Sequence, residues 1–345
     1  MKRVVYLDWL RVIATIAVIT IHVSASVVTM NLYDHHQSFW LAGNLFESLS
    51  RFTVPMFVMI SGALLLSSSK DIEYKQFLWK RVNKVFIPLI GWSIIYFIYW
   101  WYFRGTFDFS IKTFIKAFLK NGISYHLWFL YMIVGLYLIT PLVKIFVKHA
   151  SRKDIQYFLL LWFYASIIVK WMNHSFGYSF NVELYYVSNY VGYFILGYYL
   201  ANYEITPRWR KLAYIGGLLG VFATFALTYY YTRKAGGQLD EYWYEYFSPN
   251  VLLVSIGLFI FGKYNISRRK ERLSPIGNII NETSFGIYLV HMLILVIFEH
   301  NLFQTIGNAM HPIFSIPCRV IITLIISTMI AWVLKKTPVL NKLVP

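Results

Sequence analysis

The chain predicts an all-α fold: a polytopic membrane protein of ten transmembrane helices, both termini cytoplasmic, forming one integral-membrane domain over residues 1–345. Three observations predict it. Hydrophobic residues make up 58% of the chain and charged ones only 14%, with a mean hydropathy of +0.54; a soluble domain is nearer roughly 45–50% apolar and about 25% charged. Apolar runs of about 20 residues, the length that crosses a bilayer as a helix, recur along the whole sequence. Lysine and arginine are distributed unevenly: 21 lie in alternate connecting segments beginning with the N-terminus and 6 in the others, the bias of cytoplasmic loops. That bias also accounts for the net charge of +17, which in a soluble protein would point to nucleic acid; here no nucleic-acid partner is expected. The single cysteine, Cys318, excludes an intrachain disulfide and a cysteine-rich metal site.

The spans read 4–30, 44–66, 85–103, 126–147, 155–172, 185–203, 212–231, 249–264, 283–301 and 313–334. The first contains "YLDWLRVIATIAVITIH", residues 6–22, with Asp8, Arg11 and His22 inside it. Lys2 and Arg3 would suit the start of a signal peptide, but Asp8 and Arg11 interrupt the apolar run, so the segment is expected to stay as a span. An ionisable residue at bilayer depth costs roughly 2.5–3.5 kcal/mol on insertion scales, which something must offset. Arg11 and His22 are separated by close to three helical turns, so they share one face about 16 Å apart. Asp8 lies one turn below Arg11, set for an i,i+3 pair. A polar stripe of this kind faces a bundle interior or a watery cavity. Taken singly, Arg11 is equally read as snorkelling to the interface beside Asp8, and His22 as an interhelical hydrogen-bonding residue.

In the second span, "RFTVPMFVMISGALLL" (51–66), Arg51 stands near the outer end, four residues after Glu47 and so placed for an i,i+4 pair. Ser61 and Gly62 stand toward the inner end, where small residues let helices approach closely. Between the second and third spans, Lys80, Arg81 and Lys84 gather where the chain re-enters the membrane; positive-inside packing and an anion site explain them about equally. The interleaved Phe77, Leu78 and Trp79 suggest an interfacial helix, with Pro88 in the first turns of the third span. The fourth span opens at the outer face with "YHLWFLYMIVGLYLITP" (125–141), whose His126 and Trp128 are either interfacial belt residues or part of a site. The fifth and eighth spans are short, and the sixth, seventh and tenth carry no cluster of ionisable residues. In the ninth, "TSFGIYLVHMLIL" (283–295) places His291 about 12 Å into the membrane, where a histidine is a functional candidate or makes a packing hydrogen bond. Glu282, Ser284 and Gly286 fit a capped helix start there. No H-x-x-H, HExxH or carboxylate cluster is present and no metal is expected; GxSxG and P-loop motifs are also missing.

These motifs converge on a resemblance. An arginine, ten residues and a histidine in the first span (Arg11, His22), "MFVMISGALL" (56–65) with Met56 at a position the family fills with an aromatic residue, the basic "KRVNKVFIP" (80–88), "HLWFLYMIVGLYLITP" (126–141) and "SFGIYLVH" (284–291) are similar to the membrane-bound acyltransferase 3 family. The last two stretches are typical of its compact surface-glycan O-acetyltransferase branch. The resemblance covers nearly the whole chain, most specifically the first 90 residues. It implies a multi-pass enzyme of the bacterial cytoplasmic membrane that takes an acetyl or other acyl group from acetyl-CoA or another acyl-CoA and passes it to a hydroxyl of a cell-surface or lipid-linked glycan. Self-association is left open. His22 is implied as the catalytic base with Arg11 beside it, and Lys80, Arg81, Lys84 and Arg11 as phosphate ligands for the nucleotide; a covalent acyl-histidine is a variant of the same chemistry. Asp8, Ser61, Gly62, Arg51, His126, Trp128 and His291 are the further candidates, His126 and His291 for acceptor binding or proton relay. Some relatives carry a carboxylate shortly after "HLW", but this chain has none between Asp108 and Asp154, so no partner for the histidine is implied. The outer segment 104–125, with four basic residues, suits an acidic or lipid-linked glycan. A polysaccharide exporter is the competing class; it predicts interrupted midplane helices and repeat symmetry, neither visible in the sequence.

Overall fold

The computed structural model describes residues 4–33, 36–68, 73–178, 184–266 and 272–345. Lys2, Arg3, His35 and the basic residues within 69–72 and 267–271 lie outside the described residues. Among the described residues the chain is helical and has no strand. The helices are α1 (Val5–Val28), α2 (Gln37–Ser50), α3 (Thr53–Leu66), α4 (Tyr74–Arg104), α5 (Ile111–Leu119), α6 (Trp128–His149), α7 (Arg152–Phe163), α8 (Val169–Phe176), α9 (Tyr190–Asn202), α10 (Pro207–Lys234), α11 (Pro249–Phe261), α12 (Pro275–Phe298), α13 (Gln304–Ala309) and α14 (Pro312–Lys336). A π turn joins α7 to α8 and another joins α12 to α13.

Nine stretches among the described residues are long and apolar enough to cross a membrane, against ten read from the sequence. The difference lies at 185–203, where α9 has only 13 residues. That is about 20 Å of helix, short of the roughly 30 Å hydrocarbon core. Eight of the 13 residues of α9 are buried, so its length answers to protein neighbours instead of lipid thickness. It packs on α3 with no side chains between the backbones: a Cβ on Gly62 would lie 1.8 Å from the Phe194 carbonyl oxygen, and one on Gly197 would lie 2.0 Å from that of Met59. Asn202 at the end of α9 donates to Ser67 Oγ at the end of α3 (2.6 Å), so the two helices run parallel.

Three boundaries differ from the sequence reading. The second span begins at Gln37 and is broken between α2 and α3 beside Arg51. Pro55, in the first turn of α3, has no N–H to offer the Arg51 carbonyl, which ends the ladder there. The expected interfacial helix around Phe77–Trp79 is the beginning of α4 itself, so Pro88 sits near the middle of a 31-residue helix. The ninth span starts with Ser274, whose Oγ accepts from Gly277 N (3.1 Å), and Pro275, so Glu282, Ser284 and Gly286 lie inside α12 and His291 about 24 Å along it. The fifth starts at a capping box, Asp154 N donating to Ser151 Oγ (3.3 Å) and Ser151 N to Asp154 Oδ2 (2.8 Å). Burial separates the helices into centre and rim. In the apolar window of Gln37–Leu66, 72% of residues are buried, against 17% for Pro207–Lys234, so α1, α2–α3, α11 and α12 are central and α10 peripheral.

Candidate active site

Two central helices, α1 and α12, carry the site side by side. At one end Arg11 Nη1 donates to Asp8 Oδ1 (3.2 Å) and to Asn281 Oδ1 of α12 (2.9 Å). At the other, the His22 ring lies 5.1 Å from the His291 ring, centroid to centroid. Eleven residues of α1 and ten of α12 separate these two contacts, so the helices run parallel in matched register. Asn281, Ser284, Tyr288 and His291 follow one another at three- and four-residue steps, which places them on one face of α12. The polar edge of α1 therefore faces a second polar edge, and this satisfies groups that lipid would leave unpaired.

The space beside this pair is a cavity of about 290 Å³. Arg11, Arg81 and Lys84 line it together with Ser61, Tyr137 and Ser284; Phe57, Ile60, Phe129 and Ile133 form apolar walls, and Pro345 also borders it. Exposed Lys84 marks one end and buried Tyr288 the other. Tyr288 donates through its hydroxyl to the His126 carbonyl, and its ring is 5.8 Å from both the His126 and the His291 rings. The cavity thus runs from three cations to the base of a histidine cluster.

The cluster is assembled by α1, α12 and the turn Tyr125–Leu127 that precedes α6. His126 and His291 are buried and their rings 5.7 Å apart; His22 is part-exposed. His22 Nδ1 is 2.9 Å from the Tyr125 hydroxyl, which lies 3.3 Å from Met292 Sδ. The Tyr125 proton goes either to His22 Nδ1 or to the thioether sulfur, which only accepts; in the second arrangement the Tyr125 oxygen accepts from His22 Nδ1–H and the lone pair stands on His22 Nε2. His291 Nδ1 donates to the Ile287 carbonyl (3.2 Å), and His126 Nδ1 pairs with Ser124 Oγ (3.0 Å). The Nε2 atoms of both are buried without a hydrogen-bond partner among the described residues, a situation that costs about 1–3 kcal/mol each when nothing else arrives. Among the described residues no three His, Cys, Asp or Glu side chains are placed to hold a metal ion.

Of the residues singled out from the sequence, the fold brings Arg11, Ser61, Arg81 and Lys84 to the cavity, Asp8 to Arg11, and His22, His126 and His291 to one cluster. Lys80 is exposed and does not line the cavity, and Gly62 meets α9. Arg51 pairs with Glu47 and lies over the Tyr244 ring (4.3 Å to its centroid), while Trp128 packs on Tyr246 and Tyr190, both in a second pocket on the His22 side. Asn281, Tyr125, Tyr137 and Tyr288 were not predicted. Tyr288 stands three residues before His291 within "SFGIYLVH", a helical spacing that signals it; Asn281, outside any motif, has no such signal.

The fold and the cavity define a multi-pass helical membrane protein with buried histidines beside a cationic cavity. The model of the acyltransferase 3 family, an acyltransferase domain, matches residues 4–334. The chain belongs to that family and is an acyltransferase. No curated protein and no solved structure matches it.

Proposed function

We propose that this acyltransferase moves an acetyl or similar acyl group from cytoplasmic acyl-CoA to a hydroxyl of a cell-surface or lipid-linked glycan, in the bacterial cytoplasmic membrane and in the manner of the compact O-acetyltransferase branch. One observation carries the reading: Arg11, Arg81 and Lys84 share a cavity whose far wall, Tyr288, supports the histidine cluster. Among the described lining residues, the Pro345 terminus apart, none is acidic, which suits the phosphates of a nucleotide carrier. The Lys/Arg bias orients this end toward the cytoplasm. The donor supplies a thioester carbonyl, and the rest falls to the protein. Arg11, Arg81 and Lys84 hold phosphate, with Lys80 adding charge from outside. The two polar edges of α1 and α12 line the route toward His22, about 16 Å along α1. His22 Nε2 takes the proton of the acceptor hydroxyl as its oxygen bonds to the carbonyl carbon. When the carbon–sulfur bond breaks, the imidazolium returns that proton to the sulfur. An imidazole exchanges protons readily near neutrality. The Nε2 atoms of His126 and His291, without a hydrogen-bond partner among the described residues, form hydrogen bonds with substrate hydroxyls, which both donate and accept.

Two variants test the two ends separately. Lys80→Ala/Arg81→Ala/Lys84→Ala is expected to raise the KM for acetyl-CoA at least tenfold while kcat at saturation changes little, in steady-state transfer assays with labelled donor; an unchanged KM removes the phosphate assignment. Tyr125→Phe keeps the ring but removes the hydroxyl paired with His22 Nδ1. It is expected to lower kcat about 10–100-fold with donor KM unchanged, less than loss of the base itself. Wild-type kcat in that variant would show that Tyr125 does not position His22.

A further inference from the structure

On the His22 side of the bundle a second cavity, about 270 Å³, is lined by Arg51, Tyr190, Glu241, Tyr244, Glu245 and Tyr246. Its walls are built. Tyr244 is buried, its hydroxyl donates to Asn44 Oδ1 (2.6 Å), and the Arg51 guanidinium lies over its ring. Tyr246 is held from behind: its carbonyl accepts from Tyr193 (2.5 Å), and its ring stacks on Trp128 at 5.9 Å and 26°. Trp128 also packs on Tyr190, 5.8 Å away. Arg51 Nε is buried without a hydrogen-bond partner among the described residues. Its partner Glu47 is itself fixed by Ser24 Oγ (3.0 Å) on α1, so the arginine is anchored to the helix that carries His22. Trp128 stands three residues after Tyr125, the hydrogen-bond partner of His22.

Resting on the acyl-transfer reading, we propose that this cavity is the acceptor subsite and that it takes a saccharide unit bearing hydroxyls, with or without an amino group, and no carboxylate or phosphate. Fixed aromatic faces match the C–H faces of a sugar ring, since an aromatic ring offers a broad apolar surface at little entropy cost. The orphan Arg51 N–H and the two exposed glutamates supply donor and acceptors for hydroxyls around the ring. Charge decides the rest. Glu241 and Glu245 form no ion pair among the described residues, Arg51 is matched by Glu47, and Lys170 sits 4.6 Å over the ring of Phe247. The lining itself thus carries two carboxylates against one cation that Glu47 already pairs, and an anionic sugar is repelled where a neutral or amino sugar is not. The basic residues of segment 104–125 are not among the lining residues.

The test is binding without donor. Purified protein in detergent is titrated, with tryptophan fluorescence as the signal, with three probes of equal length: an N-acetylglucosamine trimer, a glucosamine trimer and a galacturonate trimer. The neutral and amino probes are expected to bind at least tenfold tighter than the acidic one. The pair Glu241→Lys/Glu245→Lys changes only exposed rim residues and is expected to reverse that order, and Tyr246→Ala to weaken all three about tenfold. Equal or tighter binding of the acidic trimer by the wild type, no binding of any trimer, or an order that survives the charge reversal overturns the subsite. Because no donor is present, the two readings fail separately. Saccharide binding in this order with no acetyl-CoA turnover removes the transfer chemistry and keeps a saccharide site, whereas His22-dependent turnover with no saccharide order removes the subsite alone.

Discussion

His22→Ala is expected to abolish most acyl transfer, with kcat falling about 10²–10⁴-fold, the usual contribution of a positioned general base. The effect should fall on chemistry and spare donor affinity, because the cations that line the cavity lie at the other end of α1 and His22 is not among its lining residues. Membrane insertion should survive. The imidazole is part-exposed, its contacts are Tyr125 and His291, and removing it leaves the α1–α12 contact at Arg11–Asn281 in place. The measurement is transfer of labelled acetyl from acetyl-CoA by membranes containing equal amounts of each protein, with acetyl-CoA binding recorded alongside. Wild-type turnover in the variant would refute the base. Loss of donor binding in parallel with turnover would mean that His22 holds substrate or structure instead.

The second large effect is on stability. Gly62→Ala adds a single methyl where α3 crosses α9, and that methyl would stand 1.8 Å from the Phe194 carbonyl oxygen and 2.7 Å from its carbon. Real contacts of this kind do not occur, and the obstacle is backbone, so no rotamer change relieves it. The helices must separate along a contact in which Tyr193 and Phe194 are fully buried. Overpacking of a close-packed interior costs about 1–3 kcal/mol and sometimes more, and the expected outcome is the upper end of that range: a lower unfolding temperature in detergent and poor recovery. Gly135→Ala in α6 is the control, since a Cβ there meets nothing within 4 Å and alanine is the better helix former by roughly 0.5–1 kcal/mol. Equal thermal stability of the two variants would discard the tight α3–α9 crossing.

Sequence and structure agree most where the signal is local. Hydropathy located the membrane-crossing helices because every backbone group in lipid must be paired within its own helix, and the spacing of Asp8, Arg11 and His22 set their common face because a helix has one period. The Asp8–Arg11 and Glu47–Arg51 pairs followed from three- and four-residue steps. Agreement is weaker where length was the criterion. α9 is too short to read as a full span, and a hydropathy window does not sense that its neighbours are protein. Helix starts moved because a search for apolar runs passes over polar helical turns: α12 begins at the Ser274 cap, and the largely exposed basic turns of α4 continue its helix with no side-chain cap.

The sequence by itself determined the class of molecule, its family resemblance and the chemical types at the site: guanidinium at one end of the first helix, imidazole at the other. Only the tertiary structure decided what faces them. That Asn281 meets Arg11, that His291 and the turn carrying His126 close on His22, and that Tyr125 is the hydrogen-bond partner of His22 are contacts between residues 103 to 270 positions apart. A helix prints its own period into its sequence. The register between two helices is set by how their side chains interlock in space, and nothing in either helix alone records it.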